Sequence, residues 1–345
     1  MTTEVVHFSR RPHAGQHSIE KVFALVRREL PERFHVTTVV SEHYSKGVMP
    51  RAATVVEARR LPQPIVHILG DVTYAALGRP ASSTVLTIHD AEFLRRASPA
   101  RKVLYSWLWL RLPVRHAVAV TVPSRATARE LEDLGVAEAA TLRLVPHPVG
   151  DGFAPPDKSA RAERRPGRPV VLAVGTAPNK NLPVLAEALA GLDCDLTVVG
   201  TLDAAQRSAF ARSHVPVREL GALPDASMPG IYQSADVLAF VSTTEGFGVP
   251  ILEAQASGLA VVTSNLDPHR DVAGGAARLV EPGDPASVRA GVQAVLQDQG
   301  YRRHLIEEGL RNAAGYSPRR IAAAYAEIYD EVAGIRQQGR TGAAD

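Results

Sequence analysis

The sequence predicts an α/β protein made of two doubly wound domains, each with a parallel sheet covered by helices on both faces. Three observations favour this class. The chain of 345 residues is longer than one hydrophobic core usually supports. Short β-branched runs alternate with helical patterns, as in parallel sheets that are buried on both faces. A stretch at 153–169, FAPPDKSARAERRPGRP, lacks apolar periodicity and separates two such series.

The predicted strands set the domain boundaries. They lie at 5–8, 36–40, 53–56, 65–69, 85–89 and 117–122, and then at 170–175, 196–200, 237–241, 259–263 and 278–280. We therefore expect an N-terminal domain at 1–152, a linker at 153–169, a second domain at 170–316, a C-terminal helix at 317–336 that packs back towards the first domain, and a tail at 337–345. Ligands in such sheets bind beyond the carboxyl ends of the strands, so the chemistry is expected in the loops that lead from strands to helices.

Composition excludes several classes of protein. With 45% hydrophobic and 22% charged residues, the chain is typical of a folded globular protein. A single cysteine, Cys194, excludes an internal disulfide and fits a reducing compartment. The start, MTTEVVHFSRR, lacks an apolar signal core, and no run of about 18 uncharged apolar residues is present. We expect a cytoplasmic protein, with peripheral attachment to the inner face of the membrane as an option.

Charge is spread unevenly along the chain. Residues 1–150 carry 20 Lys and Arg against 13 Asp and Glu, whereas the remainder is net acidic. A basic first half suggests an anionic partner, which is a phosphorylated acceptor, a membrane surface or nucleic acid. Solvated arginines on helix faces explain the same excess.

The stretch TTEGFGVPILEA at 243–254 is the most informative one. It follows a buried strand, its glycines permit a tight turn, and Pro250 predicts a helix that starts near Val249. Unpaired N–H groups at such a start form an anion site. Glu245 and Glu253 bracket this helix end. They do not face each other as the carboxyl pair of a glycosidase does, at about 5 Å or 6.5–9.5 Å.

Two other interpretations of these glutamates are a metal site, which is disfavoured, and a purely structural role, which stays open. No His or Asp stands nearby at ligand spacing, so a metal site is disfavoured. The structural alternative is that Glu253 stabilises the helix start through the helix dipole and that Glu245 is a surface turn residue.

The same stretch resembles a family signature. E-G-F-G-x-P with a second Glu eight residues after the first, followed by E-A-x-A-x-G at 253–258, is similar to the signature of the family-four retaining glycosyltransferases, glycosyl transferases group 1. LAVGTAPNKNL at 172–182 and the run from 220 to 248 extend the resemblance, as do motifs at 274–284 and 316–317. It covers about residues 170–333. The fold that it implies is GT-B, with two Rossmann-like domains facing a central cleft, of which the second binds a nucleotide sugar and the first an acceptor.

The resemblance also implies roles for individual residues. Glu253 would accept hydrogen bonds from the ribose hydroxyls, and Glu245 from hydroxyls of the transferred sugar. Lys180 would stabilise the leaving diphosphate in place of a metal ion, although a solvated loop lysine is the structural alternative. The remaining donor-binding residues would be Gly175, Asn179, Phe247, Gly248 and Val249, the last three through backbone amides, with Leu223 near the base. The family usually carries an Arg shortly before the Lys, where this sequence reads TAPN; Arg125 or the amides of Gly175 and Thr176 would then replace it.

In the first domain the resemblance is thinner. A glycine-containing loop after the first strand, with Gly15, His13 and His17, would contact donor phosphate or acceptor. The strand end Thr87-Ile88-His89-Asp90 would bring His89 to the donor sugar and Asp90 to the sugar or the acceptor. The structural alternative for His89 is a hydrogen-bonded histidine at the end of a strand.

The basic, aromatic segment RRASPARKVLYSWLWLRLPVR at 95–115 holds both tryptophans. An amphipathic element of this kind can rest on anionic lipid or receive a lipid-like acceptor. Trp107, Leu108 and Leu110 at helical spacing more often belong to a core, and we expect them there. No base-reading motif accompanies the segment, so nucleic acid is not an expected partner.

The sequence thus predicts a retaining, metal-independent glycosyltransferase without a cofactor. It would move a hexose from a UDP- or GDP-sugar to a hydroxyl of a glycan, a lipid-linked or a small-molecule acceptor. The alternatives are a non-catalytic nucleotide-sugar-binding protein and a nucleotide-sugar epimerase or phosphorylase. No G-x-G-x-x-G follows either first strand, which disfavours a dinucleotide dehydrogenase.

Overall fold

The computed structural model describes residues 2–11, 18–62, 64–95, 98–156 and 167–341. The chain divides into two compact units. Unit 1 comprises Met1–Pro148 together with Pro318–Asp345, and unit 2 comprises Val149–Ser317. Of the predicted linker, residues 157–166 lie outside the described residues, as do 342–345 of the predicted tail.

Unit 1 is an α/β layer structure. Its strands are β1 (Thr3–Ser9), β2 (Phe34–Val40), β3 (Ile65–Leu69), β4 (Thr84–Thr87), β5 (Ala119–Val122) and β6 (Arg143–Leu144). Its helices are α1 (Ser18–Glu29), α2 (Val48–Arg59), α3 (Glu92–Arg95), α4 (Pro99–Tyr105), α5 (Leu112–His116), α6 (Arg125–Asp133) and the C-terminal α14 (Pro318–Thr341). A π-helical turn, Ser106–Arg111, joins α4 to α5.

Unit 2 has the same kind of architecture. Its strands are β7 (Val170–Val174), β8 (Asp195–Val199), β9 (Val217–Glu219), β10 (Val237–Phe240), β11 (Ala260–Ser264) and β12 (Arg278–Val280). Its helices are α7 (Leu182–Leu189), α8 (Ala204–Ser213), α9 (Met228–Ser234), α10 (Val249–Ala256), α11 (His269–Ala273), α12 (Pro285–Gln297) and α13 (Gln299–Ala314).

Both sheets are six-stranded and parallel. The strand order is β2-β1-β3-β4-β5-β6 in unit 1 and β12-β11-β10-β7-β8-β9 in unit 2. In unit 2 the order reverses between β7 and β10, which are hydrogen-bonded neighbours. A ligand crevice forms at such a switch point, beyond the carboxyl ends of the two strands. The loops that leave β7 and β10 carry Lys180 and Glu245, respectively.

One predicted strand is wrong, and two observed strands were missed. Residues 53–56 lie within α2, because the β-branched pair Val55-Val56 continues a helical pattern whose buried positions are Thr54 and Ala58, four residues apart. The missed strands are β6, two exposed residues long, and β9, a three-residue strand at the sheet edge. Strands this short carry no readable alternation of apolar and polar residues.

The expectation for the segment at 95–115 is corrected in part. Leu110 is buried, as predicted, but Trp107 and Leu108 are exposed, as are Val103, Leu104 and Leu112. Trp109 takes the inward position instead, with its ring 5.1 Å from that of Tyr74. A π-helical turn contains more residues than an α-helical turn. The α-helical spacing that predicted the buried face therefore does not hold across Ser106–Arg111.

The exposed face of this segment is therefore apolar and basic. We call Val103, Leu104, Trp107, Leu108 and Leu112 the apolar face. The guanidinium carbons of Arg111 and Arg115 lie 5.4 and 5.8 Å from the centre of the Trp107 ring. The sequence from Ser98 to His116 contains no Asp or Glu. None of the helices in the described part of the chain is long and apolar enough to cross a membrane.

Helix α14 packs on unit 1 and completes its core. Ile321, Tyr325, Ile328 and Tyr329 are buried in one cluster with residues of β1 and β3. The Tyr329 hydroxyl lies 2.9 Å from His7 Nε2 and 2.7 Å from His67 Nδ1. The helix thus contributes both apolar surface and a buried hydroxyl to the sheet of the first unit.

Candidate functional site

The loops after β7 and β10 are joined by backbone and side-chain hydrogen bonds. Thr243 N donates to the carbonyl of Asn179 over 2.8 Å. The Asn179 amide donates in the other direction, to the carbonyl of Thr244 (2.9 Å) and to Glu245 Oε1 (3.1 Å). Asn181, in the left-handed conformation, donates to the carbonyls of Val241 and Pro282. These bonds fix the two loops relative to each other at the switch point.

Lys180 and Glu245 form a close ion pair within this arrangement. Lys180 Nζ lies 2.6 Å from Glu245 Oε1, and the side chains are only 17% and 16% exposed. The ammonium also lies 4.7 Å from the centre of the Phe240 ring, a cation–π contact. Two residues whose predicted roles concern different parts of one ligand are therefore neighbours.

Gly175 makes room for the Lys180 side chain. Its φ is +89°, and a Cβ at this position would lie 2.8 Å from Lys180 Cε. Any other residue here would both strain the backbone and displace the lysine stem. The glycine is thus required by the position of the ammonium.

The second glutamate is held by a tyrosine. Helix α10 begins at Val249, with Gly248 as its N-cap at φ 106°. Within its first turns, Glu253 accepts a 2.6 Å hydrogen bond from the hydroxyl of Tyr232, a residue of α9. Tyr232 is fully buried, and burial, with the charge of Glu253, raises its pKa well above the usual range. The hydroxyl therefore stays protonated and orients the carboxylate.

His269 lies behind the start of α10. Its ring is fully buried, 5.3 Å from Phe240, and neither ring nitrogen has a hydrogen-bond partner among the described residues. Burial, with a smaller contribution from the Lys180 charge, lowers its pKa to about 4. The imidazole is thus neutral at physiological pH and adds no second cation beside Lys180.

Beyond β8 and β9, two glycines define an open edge. Gly200 N donates to the carbonyl of Gly221 over 2.9 Å. A Cβ on Gly221 would meet nothing within 4 Å, so the space above it is free of described atoms. Leu223 lies next to it, half-buried against the core of unit 2. In the segment where the family carries its Arg, the carbonyl of Thr176 accepts from the Gln206 amide.

Unit 1 places the predicted residue His89 in a pair with a second histidine, His147. His89 stacks on His147, with ring centres 5.2 Å apart and Nδ1 3.4 Å from His147 Nε2. Burial, and then the neighbouring His147, keep the pKa of His89 well below its usual range. Its Nε2 is buried without a hydrogen-bond partner among the described residues. Asp90 follows on the exposed side of the chain.

Other predicted residues are not brought into a cluster. Arg125 is an exposed residue at the first position of α6, whose N-cap is Ser124. His13, Gly15 and His17 lie outside the described residues. Phe247 is buried against Tyr316, with ring centres 6.2 Å apart, so only its backbone is available for the predicted contact.

Within the described residues, one group has the geometry of a metal site. It consists of Glu42, His43 and Glu57 in unit 1. Glu57 already accepts a 2.6 Å hydrogen bond from Ser41 and pairs with His43 at 3.3 Å. The group lies outside unit 2, which holds the Lys180–Glu245 pair.

Sequence reasoning missed Tyr232, Phe240 and His269 as parts of this site. The Tyr stands in the run at 220–248 that carries the resemblance, and its spacing before the glutamates was a usable signal. Phe240 lies in strand β10 and His269 begins helix α11. Their mutual contact depends on how the strands pair, so no local pattern points to them.

Comparisons with known proteins identify a matching family profile and similar proteins. Residues 168–298 match the profile of the family described as glycosyl transferases group 1. The chain is 34% identical over 198 residues to the phosphatidyl-myo-inositol mannosyltransferase of Mycobacterium tuberculosis. This alignment covers 52% of each protein. It is 26% identical over 309 residues to the MMP alpha-(1->4)-mannosyltransferase of Mycolicibacterium hassiacum, covering 81% of this chain and 74% of the relative. The chain spans about half the length, or less, of the first curated relatives that it matches.

Among solved structures, Anabaena Alr3699/HepE in complex with UDP is similar to this chain. The TM-score is 0.78 at 16% identity, covering 95% of this chain and all of that one. The fold class predicted from the sequence, GT-B, is confirmed. The family whose profile matches residues 168–298, glycosyl transferases group 1, is the one that the sequence motifs indicated.

Proposed function

We propose that the protein is a retaining glycosyltransferase that moves a hexose from a UDP- or GDP-sugar, bound by unit 2, to an acceptor hydroxyl. The observation that carries the proposal is the Lys180–Glu245 pair at the β7–β10 switch point, beside the start of α10. It combines a cation and a helix start for a diphosphate with a carboxylate for sugar hydroxyls. The mannosyltransferase names of the relatives favour mannose as the hexose.

In this mechanism the protein supplies binding and charge stabilisation. Lys180 and the first N–H groups of α10 stabilise the negative charge that develops on the leaving phosphate, without a metal ion. Glu245 orients the sugar through its hydroxyls, and Glu253, held by Tyr232, accepts from the ribose. The acceptor oxygen bonds to the anomeric carbon from the side that the phosphate leaves, and the departing phosphate oxygen takes the acceptor proton. No protein nucleophile is needed.

The first unit is assigned to the acceptor in this proposal. His89 is assigned to the sugar, and Asp90 to the sugar or the acceptor. His13 and His17 belong to the same acceptor set, Gly15 to the donor phosphate, and Arg125 to the missing second cation. Substitution of each by Ala, with kcat and KM measured for both substrates, tests these assignments singly.

A thermal-shift screen against UDP, GDP, dTDP and ADP sugars tests the function. A ligand at 100 times its Kd adds about 2.7 kcal/mol of stability, which is readily detected. NMR of the product with the donor that binds then gives its anomeric configuration. Inversion would contradict the retaining mechanism, binding without transfer would indicate a non-catalytic nucleotide-sugar-binding protein, and a changed sugar on the nucleotide would indicate an epimerase.

The proposal extends to a peripheral membrane contact on the cytoplasmic side and to a lipid-linked acceptor. It is supported by the apolar face, in which Val103 is 62% and Trp107 41% exposed. Exposed Trp and Leu side chains with flanking arginines and no acidic residue suit the interface of an anionic bilayer. A protein partner would need acidic groups to match the same charges.

Vesicle binding tests this contact. With Trp109 replaced by Phe, Trp107 is the single tryptophan, and its emission should shift to the blue on phosphatidylcholine vesicles that contain phosphatidylglycerol, but less on phosphatidylcholine alone. Leu104→Ser with Trp107→Ser should abolish co-sedimentation, whereas Leu279→Ser, an exposed apolar residue of unit 2, should not. Equal co-sedimentation of all variants would contradict the membrane contact. A wild-type dimer that becomes monomeric in the double variant would also contradict it, because the apolar face would then be a dimer interface.

A further inference from the structure

Lys180 and Glu245 are assigned to different parts of the donor, yet they form a hydrogen bond with each other. The Nζ–Oε1 distance of 2.6 Å is that of a charge-assisted hydrogen bond. The Asn179 amide holds the same carboxylate oxygen at 3.1 Å. Both side chains are largely buried, so the pair is a feature of the site and not a solvent-screened surface contact.

The cation of this pair also has contacts of its own. Its stem lies against Gly175, where a Cβ would be 2.8 Å from Lys180 Cε, and its ammonium lies over the Phe240 ring at 4.7 Å. A diphosphate that binds this ammonium therefore also meets the Glu245 carboxylate, and two anions on one ammonium repel each other at short range.

We infer that Glu245 is an internal competitor for Lys180 that makes the site select a nucleotide sugar over the free nucleoside diphosphate. This inference rests on the proposed function. A nucleotide sugar supplies hydroxyls that donate to Glu245 and replace the hydrogen bond from Lys180. A nucleoside diphosphate lacks the transferred sugar and its hydroxyls, so the carboxylate either faces the phosphate unpaired or returns to Lys180 and weakens phosphate binding.

The competition has a consequence for product release. Transfer breaks the bond between the anomeric carbon and the phosphate oxygen, and that oxygen takes the proton of the acceptor hydroxyl. Once this proton has passed to solvent, the nucleoside diphosphate carries one more negative charge than the nucleotide sugar. Without an opposing charge, Lys180 would hold this product more tightly than the substrate. Glu245, which loses its sugar partner in the same step, opposes the product.

Calorimetry on the full chain distinguishes this role from ordinary sugar binding. The titrants are UDP with UDP-glucose and GDP with GDP-mannose. Glu245→Gln keeps the side-chain shape and the hydrogen bonds but removes the charge, so it should bind the nucleoside diphosphate about tenfold more tightly than the wild type. The same variant should bind the nucleotide sugar more weakly. The matched control, Glu253→Gln, should weaken both ligands by a similar factor, because both contain the ribose.

A second variant isolates the pair. In a Lys180→Gln background, Glu245→Gln should no longer tighten the nucleoside diphosphate, since the charge for which the carboxylate competes is absent. Unchanged or weaker nucleoside diphosphate binding by Glu245→Gln would overturn the inference and leave the proposed function standing. Failure of the wild type to bind any of the four titrants would instead overturn both. A near wild-type melting temperature of each variant verifies its fold.

Discussion

Gly175 has no side chain and so leaves room for the stem of Lys180. Gly175→Ala should cost about 1 kcal/mol of stability for its positive φ. It should also weaken nucleotide-sugar binding about tenfold, because its methyl group displaces the lysine stem. Gly191→Ala is the control, with φ +72° and Arg289 as its nearest contact at 4.0 Å. Calorimetry should show a loss of affinity for the first variant only; equal losses would contradict the steric argument.

Tyr232 tests the orientation of the second glutamate. Tyr232→Phe preserves the buried ring but removes the hydroxyl that donates to Glu253 over 2.6 Å. A hydrogen bond to a charged group contributes about 1.5–3 kcal/mol, so donor affinity should fall by roughly tenfold or more if the carboxylate holds the ribose. In Tyr301→Phe, a hydroxyl outside this site is removed, and affinity should not change. Thermal melts and donor titrations of both variants decide between a binding role and a purely structural one.

At the scale of elements, a directed hydrogen-bond chain joins α14 to the sheet of unit 1. Arg27 only donates, so its contact with His7 Nδ1 at 3.4 Å places the His7 proton on Nε2. From there each group donates to the next: His7 to Tyr329, Tyr329 to His67, His67 to Thr87, and Thr87 to Thr121. Tyr329 is thus a link that the C-terminal helix supplies between His7 and His67.

Tyr329→Phe should therefore destabilise the protein strongly. It leaves a buried nitrogen of His7 and another of His67 without a partner, at about 1–3 kcal/mol for each group. The adjacent Asp330→Asn alters only an exposed ion pair with Arg33, which is worth about 1 kcal/mol at most. Urea denaturation followed by tryptophan fluorescence should rank the two variants in this order. A loss for Tyr329→Phe as small as that for Asp330→Asn would show that the hydrogen-bond chain contributes little.

Elements with strong local patterns could be predicted from the sequence. The start of α10 at Val249 follows from Pro250 and the preceding glycines, and the buried strands follow from their continuous apolar runs. Residues 53–56 could not be assigned correctly, because the β-branched pair Val55-Val56 favours a strand but is also tolerated in a helix, as in α2. The exposure of Trp107 and Leu108 depends on a π-helical turn that has no sequence signal. The Lys180–Glu245 contact required strand order, since the two residues are 65 positions apart.

At the scale of the whole molecule, buried histidines are concentrated in unit 1. Burial is the main cause that lowers the pKa of His7 to about 3 and of His147 to about 4, and it holds those of His67 and His89 well below the usual range. Unit 2 has one such residue, His269, also at about 4. Both tryptophans, Trp107 and Trp109, belong to unit 1, so their emission reports on the unit with most of these histidines.

Acid should therefore destabilise unit 1 well above the pH at which carboxylates titrate. A histidine whose pKa is lowered in the folded protein does not reduce the free energy of unfolding above about pH 6.5, because it is neutral in both the folded and the unfolded chain. As the pH falls below that value, the unfolded chain binds the proton first, and stability falls by about 1.4 kcal/mol per pH unit for each histidine until the folded pKa is reached. For His7 the window runs from the unfolded value of 6.5 down to about 3. The free energy of unfolding, from urea titrations followed by tryptophan emission at pH 7, 6 and 5, should fall with this slope. His7→Gln should flatten it by one histidine, whereas the exposed His35→Gln should not; a slope unaffected by His7→Gln would mean that His7 takes up its proton without unfolding.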